Sequence, residues 1–259
     1  MTENIDKKND TSVVDMLLSR TADTTVDSDT MILETQKRVW GALKKGYEYS
    51  GVHDESEDFL RKNVFSKLDM IVLYVDLVGS TKMALEMPSE KIATIMSSFA
   101  QEMASVIRQY HGYVLKFVGD AVIGYFVAES NSLLTADNAV NCAKSMNTII
   151  QKGINPILDQ YDYPDLMIKI GLDFGQNIVV RYGADEQNSH VDLMGPAMNI
   201  AAKIQSMAKP HQILIGDDVY KRLHPKSQKD FQQKIWESTE WNYRSRHTGE
   251  IYQVFEYRE

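Results

Sequence analysis

Two carboxylates stand where chemistry is plausible. Asp76 closes an apolar run, Met70–Val75, and Asp120 sits in the two-residue break Gly119-Asp120 between two further apolar runs. An acid at the end of a buried strand is costly unless it is paired or binds a metal. Two such acids brought together repel, and a hard divalent cation such as Mg²⁺ or Mn²⁺ is the natural partner for an all-oxygen site. Gly79-Ser80-Thr81 follow Asp76 almost at once. A small turn leading into a helix presents free backbone N–H groups, which can hold phosphate oxygens beside such ions. The six histidines show neither metal-ligand nor triad spacing and receive no role.

The surrounding pattern supplies the elements that must position these groups. Met70–Val75 suits a central strand buried on both faces. Pro88-Ser89-Glu90 opens a long helix whose Ile92, Ile95, Met96, Phe99, Met103, Val106, Ile107 and Tyr110 recur at steps of three and four, ended by His111-Gly112. Tyr113–Val118 and Ala121–Val127 read as strands of a tight hairpin. A second helix is expected near 134–152. Leu166–Phe174 and Ile178–Tyr182 read as a second hairpin turning at Gly175-Gln176-Asn177. A third helix is expected over Pro196–Ala208, then a strand at Gln212–Ile215, a short helix at Asp217–Leu223, and strand-like alternation in Trp236–Trp241 and Ile251–Tyr257. The order β-α-β-β-α-β predicts an α+β, ferredoxin-like core with a C-terminal αβ extension. In such a sheet the hairpin pairs beside the first strand, which brings Asp76 and Asp120 together.

Composition narrows the classes. The chain has 259 residues, 43% of them hydrophobic, with net charge −8. A diffuse acidic surface argues against a nucleic-acid partner. The one cysteine, Cys142, lies in a helical apolar pattern and is expected to be a buried small hydrophobe. No run approaches the roughly 20 apolar residues of a membrane span, and the N-terminus lacks the pattern of a secretory signal. A cytoplasmic protein is therefore expected. Residues 1–30 are polar and expected to be disordered apart from a short helix at Ser12–Arg20. A helix is expected from Met31 to Tyr49, either dimerising or packed on the flank of the next domain. An acidic linker fills 50–66, and the main domain spans 67–259.

Three ordered motifs carry a resemblance. Tyr74-Val75-Asp76-Leu77-Val78-Gly79-Ser80-Thr81, Lys116-Phe117-Val118-Gly119-Asp120 and Asp192-Leu193-Met194-Gly195-Pro196-Ala197-Met198-Asn199 are similar to the motifs of class III adenylate and guanylate cyclase catalytic domains. The resemblance implies that Asp76, the Leu77 backbone carbonyl and Asp120 hold two Mg²⁺ or Mn²⁺ ions. It implies that Gly79, Ser80 and Thr81 contact phosphate, and that a homodimer partner completes the site. Lys116 and Asp192 fall at the base-reading positions, where Lys with Asp implies adenine. Asn199 would orient the ribose. The implied activity is conversion of ATP to 3′,5′-cyclic AMP and pyrophosphate.

Two positions depart from the family pattern. Lys203 stands where an Arg usually steadies the reacting phosphate, and Tyr74 where many members carry Phe. Lys203 keeps the charge without the planar fork, which admits a slower enzyme or a degenerate domain that binds nucleotide without turnover. Tyr74 could narrow the base pocket, which leaves a different base preference, guanine or a pyrimidine, as an alternative. Arg244 and Arg246 lie in the region where members carry a further basic phosphate contact. The hairpin reads Val118-Gly119-Asp120-Ala121 rather than Gly-Gly-[Asp/Glu]-Glu-Phe, which argues against a diguanylate cyclase.

Overall fold

The computed structural model describes residues 27–45, 54–128, 131–237, 240–245 and 248–258. The segment expected as a short helix at 12–20, and Arg246, lie outside them. β1 (Lys67–Leu77) is the hub of an eight-stranded sheet. It pairs antiparallel with β3 (Ala121–Val127) on one side and β4 (Ile168–Tyr182) on the other. β2 (Tyr113–Val118) edges β3, and the hairpin bounds match those read from the sequence. Gly119 takes φ 60°, a left-handed conformation that glycine adopts without steric cost, and so allows the reversal.

The apolar run of β1 serves two cores because successive side chains point to opposite faces. Ile71, Leu73, Val75 and Leu77 pack with α4 (Ser89–Gln109) and α5 (Ser132–Thr148). Met70 and Val72 pack on the other face with α7 (Pro196–Met207) and α2 (Asp54–Lys62). The stripe on α4 is the core face expected, with Ile95, Phe99, Met103, Val106 and Ile107 all buried. Before α4 lies the short α3 (Ser80–Glu86). α5 continues through a π-helical segment, Ile149–Ile154, into α6 (Asn155–Asp159), beyond the end read from periodicity. Cys142 is buried on α5.

α1 (Ser28–Lys45) packs on the flank of the domain. Its Thr35 hydroxyl donates to Glu102 at 2.7 Å, and Arg38 donates to the same carboxylate from Nε and Nη2. Glu102 is 1% exposed, so this pairing is what allows its charge to be buried. The acidic stretch read as linker contains α2.

The second expected hairpin is corrected. Ile168–Phe174 and Ile178–Tyr182 are parts of one fifteen-residue strand, and Leu166 and Met167 precede it. Gly175, Gln176 and Asn177 do not turn, because β1 is long enough to pair them with Met70, Asp69 and Leu68. The true hairpin partner is β5 (His190–Met194), which pairs only with the distal half of β4 and branches off the main sheet. The C-terminal part adds β6 (Ile213–Gly216), parallel to β4, then α8 (Asp217–Tyr220), α9 (Pro225–Gln228), β7 (Phe231–Lys234) and β8 (Val254–Tyr257). Trp236 and Trp241, expected in a strand, instead pack ring to ring at 5.4 Å, with Trp241 donating to the Tyr252 carbonyl.

Candidate active site

Asp76 and Asp120 meet as the topology requires. Asp76 pairs in register with Ala121, the residue after Asp120. The Leu77 amide donates to the Asp120 carbonyl at 3.4 Å, and the Ser80 hydroxyl donates to the Asp120 carboxylate. Burial, and then the charge of Asp120, push the Asp76 carboxyl above the usual carboxylate range. Gln205 Nε2 donates to Asp76 Oδ2 at 3.0 Å, and Lys169 Nζ lies 3.6 Å from the same oxygen. Gly79 caps α3, and Ser80 and Thr81 start it beside this pair. The donor set is hard oxygen: two carboxylates in mutual repulsion and a strand-end backbone. That chemistry fits a divalent cation whose remaining ligands come from substrate or water. Among the described residues no group of three or more His, Cys, Asp or Glu gathers.

Lys169 and Gln205 were not singled out from the sequence. Lys169 shares the alternation of β4, where Ile168, Ile170 and Leu172 face the α4 core and Lys169 faces the opposite side. Gln205 reaches Asp76 because α7 lies almost in contact with β4. A Cβ on Gly171 would sit 2.3 Å from the Gln205 backbone nitrogen, so only glycine permits this approach. The interruption of an apolar strand by Lys169 and Gly171 was the one available signal.

A second group forms two residues further along the sheet. Lys116 pairs in register with Ile123, which pairs with Tyr74. Its ammonium forms an ion pair with Asp192 on β5. The Tyr74 hydroxyl is held above its ordinary pKa by burial and then by the charge of Asp192. His190 Nε2 lies 3.9 Å from Asp192. The register of β2 shifts between Val114 and Lys116, so Leu115 is an extra, bulged residue. Leu115 and Ile123 both belong to the core beside α7, and the bulge turns Lys116 to that face as well.

Asn199 and Lys203 lie one turn apart on α7. Ala197, Met198 and Ala201 bury the sheet-facing side, Asn199 is exposed and Lys203 half-buried. One chain therefore brings together Asp76, Asp120 and Ser80, and separately Lys116 and Asp192, but it does not fold Asn199 and Lys203 onto the acid pair. Arg244 bridges to Ile251 and donates to the Gly249 carbonyl at 2.9 Å.

The sequence pattern of the adenylate and guanylate cyclase catalytic domain matches residues 65–255. The chain belongs to the class III nucleotidyl cyclase family. It is 28% identical over 158 residues to a cytidylate cyclase of Staphylococcus aureus, a match covering 58% of this chain and 36% of that protein. It is 28% identical over 195 residues to a uridylate cyclase of Rhodovulum sp. (strain MB263), covering 72% and 79%. It is 29% identical over 198 residues to a uridylate cyclase of Xanthomonas perforans, covering 75% and 83%. The chain thus spans about a third of the S. aureus relative and most of the other two. Among solved structures, the adenylyl cyclase CyaB from P. aeruginosa superposes with a TM-score of 0.62 at 19% identity, covering 75% of this chain and 95% of that one. The guanylyl cyclase Cya2 superposes with a TM-score of 0.63 at 18% identity, covering 75% and 93%. These two likenesses carry the fold, the cyclase α+β architecture. Among the described residues no helix is long and apolar enough to cross a membrane.

Proposed function

We propose that this chain is a two-metal nucleotidyl cyclase that works as a homodimer and converts CTP to its 3′,5′-cyclic monophosphate and pyrophosphate. The observation that carries this reading is the Lys116–Asp192 pair, one donor and one acceptor, beside Tyr74. A Lys donor matches a ring-nitrogen acceptor, and an Asp acceptor matches the adjacent exocyclic amino group. Cytosine and adenine share that edge, whereas uracil and guanine present the reverse. Two considerations favour the single-ring base. The Tyr74 phenol takes room where many cyclases carry Phe, and the three relatives above are named for single-ring bases, one as a cytidylate and two as uridylate cyclases. ATP is the second reading, because the same pair accepts adenine.

In the reaction the ribose 3′-oxygen bonds to the α-phosphorus as the bond to the pyrophosphate oxygen breaks, and the 3′-hydroxyl proton leaves to solvent. Divalent ions held by Asp76, Asp120 and the Leu77 carbonyl would supply the Lewis acidity that activates the hydroxyl and offsets charge on the phosphates. Gly79, Ser80 and Thr81 offer hydroxyl and backbone donors to phosphate. The base pair Lys116–Asp192, with Asn199 for the ribose and Lys203 for the reacting phosphate, would come from the partner protomer. This accounts for the exposure of Asn199 in a single chain.

Incubating the purified protein with Mn²⁺ and each of CTP, ATP, UTP and GTP, then identifying products by chromatography and mass, tests the proposal. Cyclic CMP is the expected product. Cyclic AMP would keep the edge reading and return the base to adenine. Cyclic UMP or cyclic GMP as main product would overturn the roles of Lys116 and Asp192. No product from a folded dimer that binds nucleotide would mark a degenerate site.

A further inference from the structure

α2 lies before the start of the catalytic-domain match, yet it packs on both strands that carry the base-reading pair. The backbone ladder does not join those strands directly. β3, β1 and β4 stand between β2 and β5, and β5 is attached only to β4. α2 spans the gap. On the β2–β3 side, Phe59 stacks on Tyr113 at 5.0 Å, and the Ser56 hydroxyl lies 3.1 Å from the buried Tyr125 hydroxyl. On the β5 side, Leu60 is 2% exposed and shares an apolar cluster with Val191 and Leu193. A nine-residue helix is too short to be stable by itself, so these contacts hold it in place.

Arg61 completes the bridge. Its Nη1 donates to the Glu186 carbonyl at 3.0 Å and its Nη2 to the Ser189 carbonyl at 2.9 Å, while Glu57 on the preceding turn pairs with the same guanidinium. Ser189 immediately precedes β5, and Asp192 is three residues on. The planar fork therefore ties α2 to the start of the strand that presents Asp192. Recognition geometry tolerates displacements of only about 0.5 Å, so slack at this anchor reaches the base.

We infer that Arg61 is a positioning residue for base recognition: it pins the start of β5 so that Asp192 meets Lys116 in the geometry that reads the base. This rests on the assignment of Lys116 and Asp192 as base readers. The full chain is compared with Arg61→Ala, Arg61→Lys and, as reference, Asp192→Ala. kcat and KM are measured for all four nucleoside triphosphates, and hydrogen exchange is followed in residues 190–194. Arg61→Ala is expected to raise KM for the preferred nucleotide about tenfold, the loss of one good hydrogen-bonding contact. It should shrink the kcat/KM advantage of that nucleotide over the others, leave kcat within about threefold, and speed exchange across 190–194. Arg61→Lys, which keeps charge but not the fork, should fall between.

An equal loss of kcat for every nucleotide with discrimination intact, or unchanged exchange in β5, overturns the inference. If Asp192→Ala itself leaves discrimination unchanged, the base-reader assignment has failed and the inference falls with it. That result is told apart from the others by the Asp192 variant alone. Should Arg61→Ala not fold, Arg61→Gln, which retains the stem and a donor, carries the same readouts and the same criteria.

Discussion

The two polar clusters on the α7 face are built in opposite ways. The acid pair is local in origin: a strand end, a tight turn and a hairpin that pairs beside its neighbour bring Asp76 to Asp120. The base-reading pair is assembled from distant parts: a bulge at Leu115, a strand that branches from β4, and a helix from before the family domain. The acid pair should therefore be chemically unforgiving but structurally robust. The base pair should tolerate substitution with graded changes in selectivity.

The largest expected effect tests the first half of that contrast. Asp76→Ala or Asp120→Ala should reduce turnover to background while circular dichroism and melting temperature stay close to those of the parent, since neither side chain is part of an apolar core. Strong residual activity in either variant would break the two-metal assignment. Next comes Lys116→Glu, which replaces the donor with an acceptor. The ratio of kcat/KM between amino-edge bases and keto-edge bases should fall by about tenfold or more, the usual scale for one well-placed base contact, with less effect on kcat. An unchanged ratio would show that Lys116 does not read the base.

Lys203→Arg should preserve or modestly raise the rate, because the guanidinium fork adds a second hydrogen bond to phosphate. A large drop in single-turnover rate would show that the site is not arranged as the family pattern implies.

The smallest effect concerns stability away from both clusters. Asp173 is 1% exposed, and burial pushes its carboxyl well above the usual range, opposed by the Tyr252 hydroxyl, which donates to it at 2.6 Å. A raised folded-state pKa means that folding favours the protonated acid. That stabilisation is complete below the ordinary carboxylate range and is lost as pH rises towards the folded value. Asp173→Asn removes the titration, so its melting temperature should fall less than the parent's as pH rises above the ordinary carboxylate range. An equal fall in both proteins would refute the account.

How legible each part was follows from the range of the forces involved. The stripe of α4 and the bounds of β2 and β3 could be read because periodicity and the Gly119-Asp120 turn act between near neighbours. β4 was misread because Gly175-Gln176-Asn177 is turn chemistry in isolation, and only the eleven-residue length of β1 pulls it straight. α2 lies inside an acidic stretch, and its two large apolar residues, Phe59 and Leu60, become informative only beside Tyr113, Tyr125 and β5.

By itself, then, the amino-acid sequence determined the order of elements and the family motifs, which depend on spacing along short stretches of chain, and that order implied the meeting of Asp76 with Asp120, because it sets the hairpin beside β1. Tertiary structure alone decided three further things: that Lys169 and Gln205 hold Asp76, that β5 branches from β4 to present Asp192, and that Lys116 points at it. Simple alternation from Val114 would have turned Lys116 into the α4 core. One extra residue in β2 reverses its face, and such a register shift is selected by pairing across strands rather than by the residues of β2 themselves.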